Sequence, residues 1–137
     1  MIDQLIELLT HQRRGTLGAR VVKDQQWHLD GGWNGGDNAD TSDLRTAWSG
    51  TAEKGRWTKF VIGIKFQERS ASNPYQGWVE LWKDGVQVLN RTPWKTLYLG
   101  RTSYLKAGLY RSTSISTTDT VYQDGWKMGT TYASVAG

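Results

Sequence analysis

The chain has 137 residues, no cysteine and a formal net charge of +4. That length suits one domain of ordinary size, spanning 1–137, and the missing cysteines exclude disulfides and thiolate metal sites. The positive balance favours a polyanionic partner, but the basic residues are scattered, with Arg13-Arg14 as the only adjacent pair.

No stretch is long and apolar enough to span a membrane as a helix, and no nucleic-acid-binding motif is present. Neither a membrane nor a nucleic acid is therefore expected as partner, whereas an acidic polysaccharide suits the charge. Eight Trp, six Tyr and sixteen Gly stand beside only two Pro. Trp and Tyr combine a flat apolar face with a polar edge, which suits either a sandwich core or the stacking of sugar rings.

Residues 1–12 read in two ways. Ile2, Leu5, Leu8 and Leu9 share one face of a short amphipathic helix, and the same residues would serve a buried strand. The opening MIDQLIELL carries acids and lacks a basic region and a small-residue cleavage site, so it does not read as a signal peptide. From Arg13 the period changes to two. Leu17, Ala19 and Val21 alternate with Gly18, Arg20 and Val22, and Trp27-His28-Leu29 reads as the return strand.

Residues 31–43, GGWNGGDNADTSD, form a Gly/Asn/Asp loop. Asp37, Asn38, Asp40 and Asp43 offer hard oxygen ligands there for a calcium ion, but the spacing matches no EF-hand. No cofactor is otherwise expected. A short strand over 44–48 precedes the clearest strand of the chain, 57–67. Phe60, Ile62, Ile64 and Phe66 face one way on it, and Lys59, Val61, Gly63, Lys65 and Gln67 the other.

WVELW (78–82), Asp84-Gly85 and VQVLN (86–90) spell a hairpin, since Asp-Gly suits a type I′ turn. Pro93 is expected to end that unit. Further strands are expected over 97–99, 104–110, 120–123 and 126–128. Many short strands at close spacing predict an all-β sandwich or jelly roll.

The segment SYLKAGLYR (103–111) carries the chemistry. As a strand it sends Leu105, Ala107 and Leu109 into the core and groups Tyr104, Lys106, Gly108 and Tyr110 on the other face. The glycine leaves room for a ligand. Lys106 and Tyr110 stand about 13 Å apart along an ideal strand, enough to address neighbouring sugar units. A cation near the phenol favours the phenolate, which suits acid–base work. An ordinary amphipathic surface strand would carry the same residues.

This strand resembles the Tyr-x-Lys-x-Gly-x-Tyr strand of jelly-roll polysaccharide lyases, the alginate lyase and heparin lyase I-like group. GRWTKFVIGIKF (55–66), GWVELWKDGVQV (77–88), SYLKAGLYR and TVYQDGWKMG (120–129) follow in the order found in that group, over about residues 15–130. The resemblance implies a concanavalin A-like jelly roll, a secreted protein, and β-elimination on a uronic acid-containing polysaccharide. It makes Tyr110 the acid, and in one version also the base. It gives Lys106 the role of holding the anionic substrate or tuning the tyrosine, and adds Tyr104, Gln26 and Arg111 as substrate contacts.

The family also carries a catalytic His in a Gln-x-His motif, and His titrates near neutrality. Two candidates stand open, with His11 slightly favoured over His28. Gln26-Trp27-His28 has the spelling, while His11 has the better place in chain order, just before the TLGARVV strand. Members of the group are generally longer, so the chain is expected to lack N-terminal strands. Such a loss would leave an open sheet edge through which two copies could pair.

A non-catalytic, lectin-like glycan binder is the main alternative. Trp78, Glu80 and Trp82 share one strand face and would form a sugar platform, with Trp33, Trp48, Trp94 and Trp126 as further stacking candidates. A glycoside hydrolase would need two carboxylates at a set separation, and Glu80 is the only strand carboxylate well placed for it.

Overall fold

The computed structural model describes residues 2–3, 7–10, 17–21, 26–32, 44–53, 55–68, 72, 77–98, 100, 102–106, 116, 118 and 122–137. Ten strands form two five-stranded sheets. The strands are β1 (Ile2–Asp3), β2 (Glu7–Thr10), β3 (Leu17–Val21), β4 (Gln26–Gly32), β5 (Leu44–Thr51), β6 (Phe60–Lys65), β7 (Gly77–Lys83), β8 (Val86–Trp94), β9 (Ser103–Lys106) and β10 (Lys127–Met128). One sheet has the order β10-β1-β6-β7-β8 and the other β5-β4-β3-β2-β9, and every pairing within them is antiparallel. The expected all-β sandwich is the fold.

The core lies between the sheets because both carry strands of period two. Phe60 and Ile62 of β6, Val79 and Leu81 of β7 and Trp94 of β8 pack on Leu29 of β4. Phe60 sits at the centre of an aromatic cluster, edge-on to Trp27 at 5.0 Å and to Trp48 at 6.2 Å. Each fully buried aliphatic or Phe side chain contributes about 1.5–3 kcal/mol relative to its exposed state. On β6 and β7 strand alternation turns the residues between these, Val61 and Glu80, to the opposite face of the sheet.

The structure decides one open alternative and corrects details of the sequence reading. Residues 2–3 and 7–10 are strands, so the helix expected as one alternative for the first twelve residues does not form. The β1 backbone is paired on both sides, with β6 and β10, and that of β2 with β3 and β9. Those sheet partners outweigh a helix too short to be stable by itself. The one helix among the described residues is α1 (Ala133–Ala136), which buries Val135.

Pro93 does not end the hairpin but lies inside β8, paired with Trp78. There it is tolerated because β8 is an edge strand. Of the strand expected over 97–99, the described residues 97–98 show pairing at Leu97 alone, as an isolated bridge to Glu68.

The hairpin turn forms as expected. Asp84 and Gly85 both have positive φ, 51° and 82°, the pair of values a type I′ turn demands. The Asp84 carboxylate also accepts from the Lys59 backbone N–H and from Arg56, tying the turn to the segment that enters β6.

Candidate functional site

β4 sets the geometry of the site. Trp27 and Leu29 point into the core, so strand alternation places Gln26, His28 and Asp30 on the opposite, outer face. The register carries that face across the sheet. His28 pairs with Arg20 of β3 and Ser49 of β5, and Gln26 pairs with Thr51. Asp30 lies in a row with Gly18 of β3, Glu7 of β2 and Lys106 of β9. Tyr104 is the register partner of Leu9, two residues along β9 from Lys106. By backbone parity, Gln26, His28, Asp30, Tyr104 and Lys106 therefore belong to one face of one sheet.

His28 and Asp30 stand side by side on that face. The His28 Nδ1 lies 3.8 Å from the Asp30 Oδ1, with the side chains 18% and 5% exposed. The same carboxylate oxygen accepts the Thr46 hydroxyl at 2.7 Å. Thr46 reaches it because of a β-bulge. Leu29 pairs with Trp48 but Asp30 pairs with Thr46, so Ala47 is the extra residue. In a regular ladder Thr46 would share the core-facing side of Trp48. The bulge moves it to the side of Asp30 and leaves Ala47 against the core.

Glu80, Trp78 and Trp82 do share a face, as the alternation predicted, and it is the outer face of the other sheet. Their neighbours there are protein groups. The Arg91 guanidinium bonds the Glu80 Oε1 at 3.1 Å and lies 3.8 Å over the Trp78 ring. Trp82 packs on Tyr132 with ring centroids 4.7 Å apart. Trp94 is buried and Trp48 packs on the core cluster, so both serve the fold, in contrast to their expected availability for stacking. Trp126 is exposed.

His11, Tyr110, Arg111, Trp33 and the calcium candidates Asp37, Asn38, Asp40 and Asp43 lie outside the described residues. Among the described residues no cluster of three or more His, Cys, Asp or Glu could hold a metal ion, and no helix is long and apolar enough to cross a membrane. A cleft of about 380 Å³ is lined by Trp57, Thr58, Lys59, Asp124, Gly125, Lys127 and Gly137. None of the expected site residues lines it.

Asp30 and Thr46 were not among the candidates read from the sequence. The His-x-Asp spacing on a strand was a usable signal for Asp30. Thr46 carried no such signal, because only the bulge turns it toward that face.

The fold and this polar strand face define a β-sandwich domain with titratable groups gathered on one sheet, outside the core. The polysaccharide lyase family model matches residues 9–127, and the chain belongs to that family. No curated protein and no solved structure matches the chain.

Proposed function

We propose that this domain cleaves a uronic acid-containing polysaccharide by β-elimination, in the manner of the heparin lyase I-like and alginate lyase-like group. One observation carries the reading: the sheet register groups Gln26, His28 and Asp30 with the Tyr104 and Lys106 positions on one outer face. Family membership supports the reaction class.

In this reading His28 takes the C5 proton of the uronate. Tyr110 gives a proton to the departing glycosidic oxygen, and the C4–O bond breaks as the C4–C5 double bond forms. Lys106, Arg111, Tyr104 and Gln26 hold the anionic chain. Of the two histidines, His28 is favoured by its place beside a carboxylate on the strand face. The partner is an acidic glycan met outside the cell.

A second reading, glycan binding without cleavage, is favoured by one feature. β3 and β2 lie between β4 and β9, so about 14 Å separates the two backbones at the usual strand spacing. That span suits contact with successive sugar units.

The test is ultraviolet absorbance of unsaturated uronate products after incubation with a panel of uronans. Cleavage that is lost in Tyr110→Phe and in His28→Ala, with the fold intact by circular dichroism, supports the lyase. Binding on a glycan array without any cleavage by the unmodified chain selects the second reading.

A further inference from the structure

We propose that Asp30 is a positioning residue that fixes the ring tautomer of His28, and that the β5 bulge exists to hold that carboxylate in place through Thr46. The proposal rests on the reading of His28 as a proton-transfer group.

The two residues stand at i and i+2 on β4, so they share a face whatever the details of the sheet twist. Their approach is through Nδ1, at 3.8 Å from the carboxylate. That is longer than a hydrogen bond, and a shift of about one ångström closes it. A carboxylate at Nδ1 favours the tautomer with its proton on that nitrogen. The lone pair is then on Nε2. A buried carboxylate orients a catalytic imidazole in the same way in the Ser-His-Asp triad.

Asp30 is suited to this because it is held. It is nearly closed off from water, and the Thr46 hydroxyl donates to the same oxygen that faces His28. That bond limits rotation of the carboxylate. Thr46 reaches it only through the extra residue Ala47 in β5. A bulge disrupts the ladder locally, and bulges recur beside active sites as devices that re-aim a side chain.

The experiment reads the imidazole directly. The chain is labelled with 15N in its histidines, and the His28 signals are assigned by their loss in His28→Gln. Ring nitrogen shifts are then recorded over a pH series and compared at its alkaline limit. The unmodified chain is expected to show the proton on Nδ1. In Asp30→Asn the amide offers an N–H, and the proton is expected to move largely to Nε2. Thr46→Val keeps the carboxylate but removes the hydroxyl that bonds the oxygen facing His28, and is expected to give a mixture of tautomers.

With a cleavable uronan, Asp30→Asn is expected to lower kcat on the order of 10-fold or more with little change in KM. A folded Asp30→Asn chain with an unchanged tautomer overturns the proposal. Should Asp30→Asn fail to fold, an unchanged tautomer in Thr46→Val does the same. A tautomer shift in a chain that cleaves no uronan supports the coupling of Asp30 to His28 and overturns the lyase reading instead.

Discussion

Arg91 lies with its guanidinium 3.8 Å above the ring of Trp78 while bonding the Glu80 carboxylate at 3.1 Å. One exposed side chain thus joins an aromatic face and a carboxylate on the outer side of β7. The Arg91 side chain is 59% exposed and that of Glu80 only 8%, so the partners stand in different dielectric surroundings. Solvent screens the arginine and reduces the attraction below that of a fully buried pair. Removing the arginine still strands a carboxylate that water reaches poorly.

Arg91→Ala is accordingly expected to destabilise the chain by about 1–2 kcal/mol in urea unfolding. Glu80→Gln/Arg91→Ala is expected to recover part of that loss, because the stranded charge is gone. A double mutant that adds the two single losses in full would show that the pair does not interact. If Arg91→Ala instead unfolds like the unmodified chain, the ion pair and the ring contact contribute nothing measurable.

Gly77 opens β7 where Thr96 crosses it. A Cβ built on Gly77 would stand 1.9 Å from the Thr96 Oγ1 and 2.7 Å from the Lys65 carbonyl oxygen. The Thr96 hydroxyl cannot withdraw cheaply, since it donates to that same carbonyl at 2.7 Å and accepts the Gln67 N–H at 3.1 Å. Gly77→Ala is therefore expected to cost about 1–3 kcal/mol, the usual range for overpacking. Gly77→Ala/Thr96→Ala is expected to keep a loss, because the Lys65 carbonyl remains in the way. Thermal unfolding of both variants checks this, and a Gly77→Ala chain with an unaltered Tm would show that the crossing is looser than the distances imply.

The sequence made the sandwich legible where one face of a strand is apolar and the other is not. Phe60 and Ile62 announced β6 by alternation, and Asp84-Gly85 announced the hairpin by its turn chemistry. The first twelve residues were ambiguous because Ile2, Leu5, Leu8 and Leu9 satisfy a helical period as well as a strand. Only pairing with the neighbouring β3 and with β6, β9 and β10 far along the chain decides it.

The site was partly legible. Gln26 and His28 were named from a motif, and their shared face follows from a period of two. Thr46 was not legible because a bulge inverts the face of every residue beyond it, and nothing in LRTAWSGT marks one. The Trp residues were the least legible. Burial separates the core residue Trp94 from the exposed Trp57, and composition alone carries no such distinction.

Tyr98 provides a pH-dependent readout of the packing at the end of β8. Its side chain is almost wholly buried, with the Lys95 ammonium 4.3 Å from its ring centroid. Burial disfavours the phenolate and raises the phenol above its ordinary value of 10.0. In the unfolded chain the phenol ionises near the ordinary value, while in the folded chain it holds its proton to higher pH. Below pH 10 both states are protonated and the full contribution of Tyr98 is present. As pH rises through the ordinary value toward the raised one, the unfolded chain binds fewer protons than the folded one, and stability falls. Lysine titration falls in the same range, so the decline must be compared with that of Tyr98→Phe, which removes the phenol and keeps the ring. The unmodified chain is expected to lose stability more steeply than Tyr98→Phe as pH rises above 10 in urea titrations. Parallel curves for the two chains would mean that the phenol ionises as readily folded as unfolded, and that the ring is not sealed from water.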